Sequence, residues 1–216
     1  CLFMGLLNGI LVAKCKLPPF IATLGTMTVG RGIAQIVNGN YNTDSIGDAA
    51  KGFRNFFYSG KLGGLFTACW IAIVVWLIFN WILSRTRTGR HIYAVGSNVD
   101  AARLSGVNVV KTTVIVYIVS AFCAAITGLI ICASTGTGTM DAGTSYEMFA
   151  VAASVIGGVS TLGGQGILLG TVIGASIWGV LQNGLQFAGA PVAIRNIAIG
   201  IIVVVSVLLD VIVRSG

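Results

Sequence analysis

Apolar runs long enough to cross a membrane dominate this sequence and limit what it can fold into. Five such runs carry few charges, and each has about twenty residues, the length that a helix needs to cross the hydrocarbon core. They cover 20–37, 65–83, 112–132, 167–187 and 195–213. Composition agrees, because 56% of the residues are hydrophobic and 9% are charged, against about a quarter charged in a soluble domain. The chain is predicted to be an all-α polytopic membrane protein with one transmembrane domain, residues 1–216.

Two shorter apolar runs complete the pattern. Residues 1–13 are too few to cross alone, and they contain Gly5 and Gly9, whose spacing lets another helix approach closely. Because the chain starts inside this run and without an initiator methionine, we expect a fragment whose N-terminal spans are missing. Residues 148–159 are predicted to form a short span.

One polar stretch, residues 84–111 (the basic segment), interrupts the apolar runs. It contains four arginines, a lysine, the only histidine and a single acid. Such a stretch belongs in water between two spans, and positive charge collects on the cytoplasmic side. The net charge of +7 is therefore attributed to membrane topology, with Lys14, Lys16 and Arg214 on the same side, rather than to nucleic-acid binding.

A short helix is predicted inside the basic segment. Ser97 or Asn98 can cap its start by accepting a hydrogen bond from a free backbone N–H group, and Gly106 can end it in the left-handed conformation. Asp100 falls in the first turn, where negative charge suits the helix dipole. Because a helix of about two turns is not stable alone, we expect it to dock on a partner. The predicted docking face is small and apolar and consists of Ala101, Ala102 and Leu104.

This helix resembles a known loop. Asp100-Ala101-Ala102 with Gly106 resembles the Glu-Ala-Ala-x-x-x-Gly loop of permease subunits from bacterial ATP-binding-cassette importers, with Asp100 in place of the glutamate. Residues 88–98 resemble the segment that precedes the loop in ribose/galactose-type sugar permeases. Residues 17–26, Arg31-Gly32 and 146–170 are also similar to that branch. The resemblance implies a multi-helix transmembrane bundle of the importer permease type in the bacterial inner membrane.

In that family the loop docks on a cytoplasmic ATPase. The resemblance therefore implies the permease subunit of a binding-protein-dependent importer for a monosaccharide or similar polar solute. It implies three partners: a cytoplasmic ATPase subunit, a second permease subunit (identical or a sister chain) and a periplasmic solute-binding protein. No cofactor is expected in this chain, since ATP and magnesium would be bound by the ATPase. The residues assigned to the coupling loop are Gly89, Arg90, Gly96, Asn98, Asp100, Ala101, Ala102, Arg103, Leu104 and Gly106.

A glycine-rich stretch follows residues 148–159. No basic residue follows its glycines, which excludes a phosphate-binding loop, and no strand–helix alternation surrounds it, which excludes a dinucleotide-binding fold. The predicted role is a tight turn between two closely packed helices. The packing and turn glycines are Gly157, Gly158, Gly163, Gly164, Gly166, Gly170 and Gly174.

Polar side chains inside the apolar runs are candidates for the translocation path. An unpaired amide at membrane depth is costly, so these side chains must face protein or a water-filled path. Amides both donate and accept hydrogen bonds, as a sugar requires. Helix-to-helix bonds, and for threonine bonds to its own helix, are the alternatives. The candidates are Asn8, Thr23, Thr26, Gln182, Asn183 and Gln186.

Two polar loops are predicted on the outer side of the membrane. Residues 38–64 carry mixed charge and several aromatic residues, and we expect a periplasmic loop that meets the binding protein. A short amphipathic helix at the membrane interface is a compatible alternative. In the second outer loop, residues 134–145, Thr144 and Glu147 have the spacing of a capping box.

Two other function classes compete. A secondary transporter or channel for a small polar solute is the alternative, but such proteins commonly carry ionisable groups inside the membrane, and acids are rare in these spans. A membrane-embedded enzyme would need acidic, histidine or cysteine side chains converging at one depth. We therefore predict no catalytic residue and no metal site; the five cysteines form no Cys-x-x-Cys pair.

Overall fold

The computed structural model describes residues 1–39, 41–43, 51–139, 141–161 and 163–189, with 191, 193–194, 197–198, 200–202, 204–206 and 208 beyond them. The helices whose bounds lie within the described residues are α1 (Leu2–Ala13), α2 (Pro19–Val37), α3 (Lys51–Arg54), α4 (Thr67–Arg85), α5 (Arg87–Ser97), α6 (Val99–Leu104), α7 (Val109–Thr135), α8 (Tyr146–Ile156) and α9 (Leu168–Phe187). A π-helical turn (Asn55–Ser59) and an antiparallel hairpin of β1 (Lys61–Leu62) and β2 (Leu65–Phe66) precede α4. Apart from that hairpin, the all-α prediction is confirmed.

Four helices in the described part of the chain are long and apolar enough to cross a membrane: α2, α4, α7 and α9. Their ends lie within three residues of the predicted runs. Asn108 caps α7 by accepting a hydrogen bond from the Lys111 N–H group at 3.0 Å, and Gly136, with φ of 71°, ends it. The predicted span 195–213 falls largely on residues outside those described, among them Asp210 and Arg214.

Helix α8 corresponds to the predicted short span, residues 148–159, but begins two residues earlier and ends three residues earlier. The helix has 11 residues, which at 1.5 Å each gives about 16 Å, roughly half the hydrocarbon core, so it cannot cross alone. The N-cap is Ser145, with φ of 65° and no side-chain cap hydrogen bond, and not Thr144, which the predicted capping box requires there. Glu147 is consequently the second helical residue rather than the third.

Contacts divide the chain into two compact units, and residues 1–92 and 100–142 form the first. There α1 packs along α7 through the glycines that the sequence singles out. A Cβ atom added to Gly5 would lie 2.5 Å from Ala121 Cβ, and one on Gly9 would lie 2.9 Å from Val114 Cα. The two predicted outer loops also touch, since the Thr43 N–H group donates to the Gly138 carbonyl oxygen at 3.0 Å.

Residues 93–99 and 143–216 form the second unit. Here α8 packs against α9 through backbone: a Cβ atom on Gly170 would clash with the carbonyl oxygen of Gly157, and one on Gly174 with that of Ala153. Apolar burial centres on Ala152, Ala153 and Trp178. Close approach of small residues, rather than a large apolar core, holds this helix pair together.

Candidate functional site

The basic segment folds into two helices, α5 and α6, of which the sequence predicts only the second. Thr86 starts α5, since its hydroxyl oxygen accepts a hydrogen bond from the Gly89 N–H group at 3.3 Å, the arrangement of an N-cap. Gly89 is buried, and a Cβ atom there would clash with the backbone of Leu83, so glycine permits the close bend from α4 into α5. The overlooked signal is Thr86, a capping residue directly before the helix.

The predicted short helix is α6. Asn98 precedes its first residue, whereas Ser97 is the last residue of α5, so Asn98 holds the N-cap position. At the other end, the Val107 N–H group donates to the Ala102 carbonyl oxygen at 3.0 Å. With Gly106 at φ of 80°, this is a Schellman motif, and Gly106 ends the helix as its position predicts.

The three residues of the apolar face predicted for α6 differ in burial, since one is buried and two are exposed. Ala102 is 4% exposed, whereas Leu104 is 89% exposed and Ala101 is also exposed. Residues three apart share a helix face, and Ala102 lies about 100° away from Ala101. Ala102 therefore packs within this chain, which corrects the prediction that all three alanine and leucine side chains face a partner.

Charged side chains flank Leu104 on the exposed side of α6. Arg103 Nη1 lies 3.6 Å from Asp100 Oδ1, and the two side chains remain 64% and 87% exposed. We call Asp100, Ala101, Arg103 and Leu104 the outward patch. On α5, Arg87, Arg90 and His91 are also exposed.

A stretch of glycines, residues 157–166 (the glycine turn), joins α8 to α9 and lies against the end of α5. The Tyr93 hydroxyl donates to the Gly166 carbonyl oxygen at 2.7 Å. A Cβ atom on Gly96 would lie 2.8 Å from Gly164 N, and one on Gly164 would lie 2.6 Å from Ser97 Cα. The contact is thus made backbone to backbone. The sequence assigns Gly96 and Gly164 to separate elements and does not predict that they meet; Leu162 lies outside the described residues.

Helices α1, α2 and α7 border a groove of about 570 Å³. Three predicted path residues line it, namely Asn8, Thr23 and Thr26. Thr26 donates to Asn8 Oδ1 at 2.8 Å, an interhelical bond, and Thr23 donates to the Pro19 carbonyl oxygen of its own helix at 3.0 Å. The structure therefore shows these side chains both bonding within the protein and bordering open space. Two further groove residues that the sequence reading missed are Tyr117 and Ser120.

The other three predicted path residues lie on α9, in the second unit. Asn183 donates to the Gly179 carbonyl oxygen of its own helix at 2.9 Å, and Gln186 is exposed. Gln182 borders a small apolar space beside Trp178 and Ile202. Its buried Oε1 has no hydrogen-bond partner within the described part of the chain.

Comparison with known proteins assigns this arrangement to a family. The model of a family described as branched-chain amino acid transport system / permease component matches residues 2–207. The chain belongs to this permease family. It is accordingly a helical, multi-pass protein of the inner membrane, and its four long apolar helices are consistent with this.

Relatives in this family are named for sugar import. The ribose import permease protein RbsC of Haemophilus influenzae is 40% identical over 208 residues, which cover 96% of this chain and 64% of that protein. The galactose/methyl galactoside import permease protein MglC of Salmonella typhimurium is 36% identical over 210 residues, 96% of this chain and 62% of that protein. The D-allose transport system permease protein AlsC of Escherichia coli is 34% identical, with coverages of 96% and 62%. The chain thus spans less than two thirds of these relatives, and no solved structure matches it.

Proposed function

We propose that this chain is the transmembrane permease subunit of an ATP-binding-cassette importer that carries a monosaccharide or similar polar solute across the bacterial inner membrane. The observation that carries the proposal is the outward patch on α6. The patch lies on a short helix whose Ala102 is buried within the chain, whose end is fixed at Gly106, and whose Leu104 is exposed. Relatives at 34% to 40% identity, named as ribose, galactose and allose permeases, support it.

The outward patch is proposed to dock on a cytoplasmic ATPase subunit. Leu104 is an apolar anchor of the kind that fills a pocket at the centre of an interface. Asp100 and Arg103 stand beside it, where charges set orientation rather than affinity. The ATPase subunit would bind ATP and magnesium, so this chain itself needs no cofactor and is proposed to have no enzymatic activity. A second permease subunit and a periplasmic solute-binding protein complete the proposed importer.

The proposed mechanism is alternating access driven from outside the membrane. Closing of the ATPase pair on ATP would move α6 as a rigid body, and the attached helices would change which side of the membrane the path faces. The N-cap of α5 at Thr86 and the Schellman motif that ends α6 at Gly106 support this mechanism. Both stabilise helix ends, and a helix that moves as a rigid body must keep its ends from unwinding.

The groove of the first unit favours a sugar over an amino acid as the solute. Its described lining offers an amide from Asn8 and hydroxyl groups from Thr23, Thr26, Tyr117 and Ser120, and no ionised side chain. Amide and hydroxyl groups match sugar hydroxyls, because both partners donate and accept. A free amino acid would bring an ammonium and a carboxylate that need charged partners when desolvated. A secondary transporter or channel for a small polar solute is the alternative function, and the comparisons give it no support.

Co-purification tests this proposal directly. The full-length protein is produced together with the products of the neighbouring genes, and retention of an ATPase subunit is compared for Leu104→Asp and Val99→Asp. Val99 lies five residues earlier on α6, about 140° around the helix, so it receives the same charge on another face. We expect Leu104→Asp to release the ATPase and Val99→Asp to retain it. Equal binding by both variants, or solute uptake by the wild type that follows a proton gradient without any ATPase, would contradict the proposal.

A further inference from the structure

The contact between α5 and the glycine turn carries a further inference, which rests on the proposed function. We propose that this contact is the link through which the α8–α9 pair follows the movement of the basic segment, and that Tyr93 is its positioning residue. Movement imposed by the ATPase on the basic segment would then reach the membrane helices by two routes. One is the direct connection of α6 to α7 along the chain, and the other is this contact with the α8–α9 pair.

The close packing between α5 and the glycine turn hinders one from sliding along the other. A Cβ atom on Gly163 would lie 2.6 Å from the Gly96 carbonyl oxygen, and one on Gly164 would lie 2.7 Å from the Ser97 nitrogen. Long side chains at an interface can change rotamer and absorb a displacement, whereas close-packed backbone cannot. Movement of the end of α5 must therefore carry the glycine turn with it or break the contact.

Tyr93 fixes the position of the turn relative to α5. Its hydroxyl reaches the Gly166 carbonyl oxygen at 2.7 Å across 73 residues of sequence. Gly166 stands two residues before the first residue of α9, Leu168, so this bond holds the start of that helix. Because the ring has only two rotatable angles, a tyrosine places its hydroxyl at little entropic cost.

The α8–α9 pair can respond to this link as one body. Gly157, at the end of α8, meets Gly170 in the first turn of α9, and Gly174 meets Ala153 one turn further along. The turn and both helices are therefore joined at successive backbone contacts. By contact, Tyr93–Val99 groups with residues 143–216 and not with its chain neighbours, which is what a link to this helix pair requires.

A coupling assay tests the proposal. The full-length permease is reconstituted into liposomes with its ATPase subunit and binding protein, and ATP hydrolysis and uptake of radiolabelled D-ribose, D-galactose and D-allose are measured together. We expect Tyr93→Phe to keep the ATPase bound and ATP hydrolysis within about twofold of wild type. Sugar taken up per ATP should fall about three- to tenfold, the loss that one hydrogen bond accounts for. Tyr146→Phe, which removes the hydroxyl of an exposed tyrosine at the start of α8, is the matched control and should leave the ratio unchanged.

A second variant keeps the test decisive. Gly96→Ala separates α5 from Gly164 without touching Tyr93 and should lower the same ratio. A role in folding alone would lower hydrolysis and uptake in parallel, so an unchanged ratio in both variants overturns the inference. If the wild-type complex binds no ATPase or takes up none of the three sugars, the proposed function fails, and the inference fails with it. If the wild type transports sugar and both variants take up as much sugar per ATP as the wild type, the inference is wrong and the proposed function stands.

Discussion

Helices α5 and α6 are neighbours in one basic segment, yet their surfaces are of opposite kinds. The end of α5 meets the glycine turn through backbone atoms, at Gly96 and Gly164. The exposed side of α6 instead presents side chains, with Leu104 and the Asp100–Arg103 pair turned away from the chain. The first surface is packed within the described protein, and the second is exposed.

This difference separates two requirements of the proposed coupling element. A contact proposed to transmit movement within the chain gains from close-packed backbone, as at Gly96 and Gly164, because backbone cannot change rotamer; the one side-chain bond beside it is from Tyr93. A contact that must recognise another protein needs side chains that fill a pocket and select a partner. Substitutions on the α5 side should therefore change stability, and substitutions on the outward patch should change binding.

The largest predicted difference is between two glycines with similar backbone angles. Gly164 has φ of 71° and Gly106 has φ of 80°, so alanine costs about 1–2 kcal/mol of backbone strain at either site. Only at Gly164 would the new Cβ atom also lie 2.6 Å from Ser97 Cα; at Gly106 it would meet no described atom within 4 Å. We expect Gly164→Ala to lower the unfolding free energy by about 1–3 kcal/mol more than Gly106→Ala. Thermal unfolding of the purified protein in detergent measures the difference. Equal losses of stability in the two variants would show that Gly164 is not closely packed against Ser97.

The next effect concerns the adjacent alanines of α6. Ala102 is buried, so Ala102→Leu should cost about 1–3 kcal/mol of stability through overpacking. Ala101 is exposed, and Ala101→Leu should change stability by less than about 0.5 kcal/mol while weakening ATPase binding. Thermal unfolding and co-purification together separate the two. A larger loss of stability in Ala101→Leu than in Ala102→Leu would mean that Ala101 is buried and Ala102 faces outward.

The sequence predicts those features of the fold that depend on length and local chemistry. Runs of about twenty apolar residues fix the four long spans, and the end of α6 follows from Gly106 because only a local left-handed residue is required. The ends of α8 are predicted less closely, since residues 148–159 are predicted and residues 146–156 are helical. The apolar run extends to Val159, past the helix end at Gly157, so hydropathy alone places that end too late. Helix α5 is missed because its charges suggest a loop, although its Thr86 cap is a local signal.

The sequence does not predict which residues of the site face inward. Whether Ala101 or Ala102 is buried depends on the rotation of a helix of six residues, where a shift of one position turns a side chain by about 100°. The bond from Tyr93 to Gly166 spans 73 residues and leaves no local pattern. Both facts depend on tertiary packing, so residue type and spacing carry no record of them.

A smaller effect tests whether α5 is held rigid at its start. Thr86→Ala removes the hydroxyl that accepts from the Gly89 N–H group and should cost about 1 kcal/mol. Thr86→Ser keeps a hydroxyl at that place and should lose much less. Hydrogen exchange of the first α5 amides, followed by mass spectrometry, reports the loss locally. Identical exchange in the two variants would show that the bend at Gly89, and not the cap, fixes this end.

The smallest stability effect is expected at the Asp100–Arg103 pair. The two groups are 3.6 Å apart and mostly exposed, and exposed pairs at this spacing contribute about 0.5 kcal/mol or less. Asp100→Asn should therefore leave the unfolding midpoint nearly unchanged. It should weaken ATPase binding at low salt, with a difference that shrinks as ionic strength rises, since salt screens exposed charges. A loss of stability above about 1 kcal/mol would place the pair in a desolvated contact within this chain. In that case α6 would resemble α5, and the division between an internal and an external surface would not hold.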